Sequence, residues 1–131
     1  MKIKQLIMLA ALFAALAVVI GAFSAHALQQ QLSAKELQWI ATATEYQQYH
    51  ALALLAVALL MICNGKSKGL MLSSYAFIVA IVLFSGSLYF LAFSGSTALV
   101  YLTPLGGMAF IIGWLALFCA AAGSQFKLER K

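Results

Sequence analysis

Three ionisable side chains fall within or beside the apolar stretches of the sequence: His26, Glu45 and His50. Zinc and iron accept imidazole and carboxylate ligands, and two histidines can also bracket a haem. No pair among the three has the HxxxH or HxxE spacing that places two ligands on one helix, so a metal or haem site stays a hypothesis and the cofactor is unassigned. No Ser-His-acid or Cys-His arrangement is spaced for nucleophilic catalysis either. We therefore assign no catalytic residue, and the interpretation leans away from an enzyme.

The composition shows what kind of environment surrounds these residues. Of the 131 residues, 65% are hydrophobic and 8% are charged, with a mean hydropathy of +1.00. Soluble domains are about 45–50% apolar and about 25% charged, so the chain lies outside that class, and it is too apolar to be disordered. Charges are absent from 5–34, 46–65 and 69–126. A membrane helix needs about 20 apolar residues, so these stretches predict membrane spans.

We predict an all-α fold, a four-helix transmembrane bundle formed by a single domain over 1–131. The long stretch 69–126 divides at the turn-forming residues 94–97 and at Thr103-Pro104, where proline suits a helix start. The sequence Ser33-Ala34-Lys35-Glu36 has the capping-box pattern and predicts a short interfacial segment at about 33–40. The four predicted spans are about 5–25, 43–62, 71–93 and 103–123.

Basic residues predict the orientation of the bundle. An even number of crossings puts seven of the eight lysines and arginines on one side and leaves Lys35 alone on the other. The positive-inside rule then places both termini in the cytoplasm. The charges are split among short segments, so we expect a lipid bilayer partner and no nucleic acid. The residues on the basic side are Lys2, Lys4, Lys66, Lys68, Lys127, Arg130 and Lys131.

The N-terminal segment also imitates a secretory signal peptide. Lys2 and Lys4 precede an apolar run that ends at the small-x-small sequence Ala25-His26-Ala27. The run of about 20 residues is longer than a typical signal-peptide core, which favours a retained membrane helix.

Polar side chains gather in the outer half of each predicted helix. Intramembrane ionisable residues are costly and usually face a bundle interior or a cavity. We expect His50 to be buried and hydrogen-bonded about 8–12 Å below the outer boundary, with Ser85 and Tyr89 as its nearest partners. The residues expected to form this polar layer are His26, Glu45, Tyr46, Tyr49, His50, Ser85 and Tyr89.

Several of these residues also fit simpler structural roles. Thr42-x-x-Glu45 has the pattern of a second capping box, and His50 fits a hydrogen bond between helices. Trp39 and Tyr101 fit anchors at the membrane interface, and Trp114 fits a packing residue. Glycines allow helices to approach closely, and those expected to do so are Gly21, Gly86, Gly106, Gly107 and Gly113.

Six motifs in order make the chain resemble domain-of-unknown-function family 423. They begin with the Gly21–Leu28 motif, continue with Glu45-Tyr46-Gln47 and His50–Ala53, and end with the motifs at 84–89, 103–107 and 113–114. The family comprises small bacterial inner-membrane proteins similar to the animal transmembrane protein 256. The resemblance implies a multi-helix protein of the plasma membrane, and it implies no activity and no catalytic residue.

Three functional hypotheses remain open. The first is a non-enzymatic membrane component that acts through helix–helix contacts with itself or with a membrane-protein partner. The second is a binder or carrier of a small or lipidic molecule at the polar layer. The third is a metal- or haem-dependent membrane enzyme.

Overall fold

The computed structural model describes residues 1–123, which contain four membrane-length helices and no strand. Helix α1 spans Ile3–His26, α2 spans Ala34–Asn64, α3 spans Lys68–Ser94, and α4 spans Leu102–Ala122. A short 3-10 turn at Thr97–Leu99 precedes α4. The all-helical, four-span architecture expected from the charge-free stretches is confirmed.

Helix α2 begins earlier than the span expected at 43. Ser33 caps it: the Ser33 hydroxyl accepts from the Glu36 N–H at 3.3 Å, and a Glu36 carboxylate oxygen accepts from the Ser33 N–H at 2.7 Å. The capping box at 33–36 is thus confirmed. It starts a helix that continues without a break through Thr42, so the second box expected at Thr42 and Glu45 is wrong, because residues inside a helix have no free N–H groups to cap.

Helix α3 changes its hydrogen-bond pattern along its length. Lys68–Ala80 and Gly86–Ser94 are α-helical, whereas Ile81–Ser85 form a π-helical segment between them. Such π-turns are rare and often occur at functional sites. The helix ends at Gly95, whose positive φ of 65° is the left-handed conformation that glycine adopts most easily. The turn-rich sequence after Ser94 therefore separates α3 from α4, as expected.

Helices α2 and α3 are the central pair of the bundle. α2 packs against α1 and α3, and α3 packs against α2 and α4. All four helices contribute to the buried core, which includes Leu6, Leu54, Val57, Met61, Leu70, Phe77, Ile81 and Phe110. The outer faces of α1 and α4 expose large apolar side chains such as Val18 and Phe118, as suits helices with lipid as their solvent.

The N-terminus and the loop between α2 and α3 lie at one end of the bundle. The Lys66 ammonium donates to the Met1 carbonyl at 3.0 Å, and the Met1 ammonium donates to the Tyr75 hydroxyl at 3.1 Å. Gly69, at the start of α3, lies against Ala120, near the end of α4. The cytoplasmic assignment of this end stays a prediction, and Lys127, Arg130 and Lys131 lie outside the described residues.

Candidate functional site: a His–Trp pair in a lateral groove

His50 is buried in α2, and both of its ring nitrogens have a hydrogen-bond partner. Its Nδ1 lies 2.8 Å from the Tyr46 carbonyl oxygen one turn earlier, and its Nε2 lies 3.1 Å from the indole nitrogen of Trp114 on α4. A carbonyl only accepts and an indole N–H only donates. We therefore assign the neutral tautomer in which Nδ1–H donates to Tyr46 and the Nε2 lone pair accepts from Trp114.

Aromatic rings hold the imidazole from several sides. The Phe110 ring stacks on His50 with centroids 3.6 Å apart, and Phe77 lies at 5.4 Å. Tyr46 in turn packs on Phe84, with centroids 4.7 Å apart. Such ring contacts favour fixed relative orientations, so His50 sits in a defined position rather than in a loose apolar pocket.

This cluster borders a lateral groove of about 400 Å³ between α2 and α4. The groove opens away from the core: Trp114 is 48% exposed and Tyr46 is 40% exposed, whereas His50 is only 6% exposed. The polar pair thus joins a buried imidazole to an indole that is exposed at the aromatic opening of the groove. The lining residues are Tyr46, His50, Phe84, Gly107, Phe110, Ile111 and Trp114.

The π-helical segment of α3 shapes the groove. Phe84 belongs to this segment and lies so close to α4 that a Cβ on Gly106 would be 2.5 Å from its backbone nitrogen. The next residue, Ser85, is buried and donates its hydroxyl to the Ala43 carbonyl of α2 at 2.8 Å. The π-turn therefore joins α3 to both neighbours at the level of the aromatic cluster.

A second polar network surrounds Gln47, which is buried on α2. Its side-chain amide donates to the Phe13 carbonyl of α1 at 2.7 Å and accepts from the Tyr89 hydroxyl of α3 at 3.0 Å. One amide thereby joins three helices. Ser85 and Tyr89, the expected partners of His50, bond to Ala43 and Gln47 instead, because the register of α2 against α3 sets Ser85 opposite Ala43 and Phe77 opposite His50.

The remaining members of the expected polar layer lie away from these networks. Glu45 and Tyr49 are exposed on α2 and bonded to each other, with the Tyr49 hydroxyl donating to the carboxylate at 2.8 Å. His26 is exposed at the end of α1. The described residues hold no group of three or more His, Cys, Asp or Glu side chains that could bind a metal ion. His26, Glu45 and His50 are therefore not brought together.

The register of α2 against α4 sets the expected depth of the site. Tyr46 faces Phe110 and His50 faces Trp114, so α2 and α4 run in the same direction and in register. That register aligns Trp39 with the start of α4 near Tyr101. With Trp39 as the expected interface anchor, a rise of 1.5 Å per residue predicts His50 about 16 Å below the interface, near the middle of a hydrocarbon core about 30 Å thick, where the polar pattern alone predicts about 8–12 Å.

The glycines divide into tight and open positions. An added Cβ would be 2.5 Å from Phe84 at Gly106, 2.5 Å from Phe77 at Gly113 and 2.8 Å from Ala120 at Gly69. Gly21 and Gly86 have no such neighbour within 4 Å, and Gly107 has only a Phe84 ring carbon at 4.0 Å. The tight glycines all lie between α3 and α4.

Sequence reasoning did not include Gln47 or Trp114 in the polar layer. Trp114 fits a packing residue when read alone, and only the helix register places its N–H opposite His50. The burial and bonding of Gln47 could have been predicted, because an amide inside an apolar helix needs a buried partner.

These features define a class: a multi-pass integral membrane protein with two polar networks that join its helices. The chain belongs to the family described as "Protein of unknown function (DUF423)", which matches residues 20–107. The resemblance found in the sequence motifs is thus confirmed. No solved structure matches the chain.

Named relatives agree with this class. A "UPF0382 membrane protein" of Haemophilus influenzae is 49% identical over 117 residues, covering 89% of this chain and 92% of the relative. YwdK of Bacillus subtilis, also named a UPF0382 membrane protein, is 42% identical over 90% of this chain and 96% of its own. The UPF0382 inner membrane protein YgdD of Escherichia coli K12 is 37% identical over 100% of this chain and 96% of its own. The chain is a multi-pass protein of the bacterial inner membrane.

Proposed function

We propose that the protein is a non-enzymatic membrane component that binds a small lipid-soluble molecule in the groove beside His50 and Trp114. The observation that carries this proposal is the hydrogen bond between the buried His50 imidazole and the exposed Trp114 indole at the opening of this groove. Polar groups at mid-membrane depth are costly, and they usually mark a cavity, a partner or a pathway.

The size and chemistry of the groove support the proposal. Small-molecule sites occupy about 300–1,000 Å³ and combine apolar walls with a few placed polar groups. The groove has about 400 Å³, mostly aromatic walls and one polar pair. A larger groove of about 900 Å³ between α1 and α3 is lined by Met8, Leu12 and Tyr75 among others. Its polar pair, the Met1 ammonium and the Tyr75 hydroxyl, is exposed at the N-terminal end of the bundle, whereas the imidazole of His50 is buried within the spans.

Blocking the groove tests the proposal. Gly107 lines it and has room for a Cβ, so Gly107→Leu fills the groove without forcing the helices apart. Gly86→Leu is the matched control, because Gly86 is an exposed helical glycine outside the groove. We expect native mass spectrometry of protein from lipid nanodiscs to detect a bound species in wild type and Gly86→Leu, and to lose it in Gly107→Leu. Equal occupancy in all three, or no bound species in wild type, would contradict the proposal.

A second candidate function, contact with a partner helix, has its own supporting observation. Glu45 and Tyr49 are exposed on α2 at about 9 and 15 Å below the level of Trp39, where a carboxylate is costly in lipid. Glu45 borders a groove of about 520 Å³ against Val18 of α1. An exposed carboxylate beside an apolar groove favours a transmembrane helix that presents a hydrogen-bond donor or a cation.

Photo-crosslinking in membranes tests this second function. A photoreactive residue in place of Val18 faces the α1–α2 groove. The control replaces Val82 of α3, a valine that is similarly exposed but lies outside this groove. We expect a protein adduct from position 18 alone, and its loss in Glu45→Leu. Crosslinking to lipid only from position 18 would contradict the partner hypothesis.

A further inference from the structure

We infer that the His50–Trp114 pair is a receptor for one hydroxyl group, so that the bound molecule is a lipid-soluble phenol, quinol or similar ring alcohol. The inference rests on the proposed function of the groove and names the class of its ligand. It follows from which atom of each partner donates and which accepts.

The pair offers one donor and one acceptor that face each other. The Trp114 indole N–H can only donate, and the His50 Nε2 lone pair can only accept while Nδ1–H is engaged by the Tyr46 carbonyl. A ligand that enters between them must therefore accept from the indole and donate to the imidazole. A single hydroxyl does both at one oxygen atom.

Other head groups leave one side of the pair unsatisfied. A carbonyl or a carboxylate accepts from Trp114 but gives no hydrogen to His50, and an ammonium donates to His50 but accepts nothing from Trp114. An unsatisfied polar group in a low-dielectric site is costly, so the pair discriminates against these groups.

The two side chains differ in exposure and in how many contacts hold them, and this difference lets a hydroxyl reach the pair. His50 is 6% exposed and held by Tyr46 and by the stacked Phe110 ring. Trp114 is 48% exposed at the opening of the groove. For one hydroxyl oxygen to bond both nitrogens, the indole must rotate outward until the nitrogens, now 3.1 Å apart, are about 5 Å apart, and its exposure at the opening leaves room for that rotation. The aromatic walls then favour a flat ring as the carrier of the hydroxyl.

A matched pair of probes tests the inference: 4-octylphenol and 4-octylanisole differ only in a methyl group that removes the donor. The full chain with Trp39→Phe keeps Trp114 as its only tryptophan, and its fluorescence in nanodiscs reports binding. We expect the phenol to bind about tenfold more tightly than the anisole, the ratio for one lost hydrogen bond. His50→Gln, which keeps an acceptor near Nε2, should retain the preference, and His50→Leu should abolish it.

The outcomes separate the inference from the proposed function. If the two probes bind equally and Gly107→Leu displaces both, the groove binds lipid-soluble molecules but the hydroxyl inference is overturned. If neither probe changes the Trp114 fluorescence, the inference is also overturned, and the native mass spectrometry decides the proposed function independently. Circular dichroism and the elution volume of each variant show whether it is folded. If His50→Leu does not fold, His50→Gln still tests the inference.

Discussion

The hydrogen bond between His50 and Trp114 joins α2 to α4 beside the stacked rings of His50 and Phe110, and a double-mutant cycle separates its energy from that of the stacking. We expect His50→Leu and Trp114→Phe each to lower the free energy of unfolding, and a double-mutant cycle to give a coupling of about 0.6–1.7 kcal/mol. The reason is that each single change leaves the other partner unpaired in hydrocarbon. Reversible unfolding in mixed micelles measures all four proteins.

The control for this cycle is Trp39→Phe, which removes an indole at the membrane interface. We expect no coupling between Trp39→Phe and His50→Leu, because the two residues are separated by about three helical turns on α2. A coupling near zero for His50 with Trp114 as well would show that their hydrogen bond contributes nothing to stability.

At this scale the sequence predicts which residues need partners better than it predicts the partners themselves. An isolated histidine in an apolar helix must be buried and bonded, and His50 is. Its partner depends on the rotation and register of three other helices. Ser85 lies opposite Ala43, about two turns before His50, whereas Phe77 and Trp114 lie beside His50, and composition carries no information about this register.

At the scale of the helix, the contact between α3 and α4 depends on the absence of a side chain at Gly106. We expect Gly106→Ala to destabilise the protein by about 1–3 kcal/mol, because the new Cβ would be 2.5 Å from the backbone of Phe84 and backbone cannot move aside cheaply. Gly86→Ala should be neutral or stabilising by up to about 1 kcal/mol, since Gly86 has open space and alanine favours helix. The same unfolding measurement compares them, and equal effects would reject the close contact.

The beginning of α2 gives a second prediction at this scale. We expect Ser33→Ala to fray the first turns of α2 and to cost about 1 kcal/mol, because it removes the acceptor for the Glu36 N–H. Thr42→Ala is the control, since Thr42 lies inside the helix and caps nothing. Hydrogen exchange of the amides at 34–37 should accelerate in the first variant only. Faster exchange in Thr42→Ala would restore a helix start near 43.

The number and the approximate limits of the helices follow from the sequence, and their irregular parts do not. Charge-free length fixes four spans, and the residues after Ser94 mark the turn before α4. The extension of α2 back to Ala34 was missed because Lys35, Glu36 and the polar residues at 42–45 resemble a loop when only hydropathy is considered. The π-helical segment at Ile81–Ser85, which packs against α2 and α4, has no signature in composition.

For the whole molecule, the bilayer and not the chain completes the packing of the outer faces. α1 and α4 bury few of their residues within the bundle, whereas α2 and α3 bury about half of their most apolar windows. The polar groups follow the same division: the Gln47 network and the His50–Trp114 pair each use a side chain of central α2 to hold an outer helix. Hydrogen bonds thus supply the attachment that apolar burial cannot supply in lipid.

The orientation of the whole molecule in the membrane gives the last prediction. We expect Ser96→Cys, between α3 and α4, to react with an impermeant thiol reagent added to intact spheroplasts, and Ser67→Cys, between α2 and α3, to react only after lysis. The physical reason is the charge asymmetry, with Lys66 and Lys68 beside Ser67 and no basic residue within the outer loop at 95–101. The background carries Cys63→Ser and Cys119→Ser, because both native thiols are exposed and would react. If position 67 and not position 96 is labelled in intact spheroplasts, the bundle has the opposite orientation. The ends of α1 and α3 and the beginnings of α2 and α4 would then lie on the cytoplasmic side.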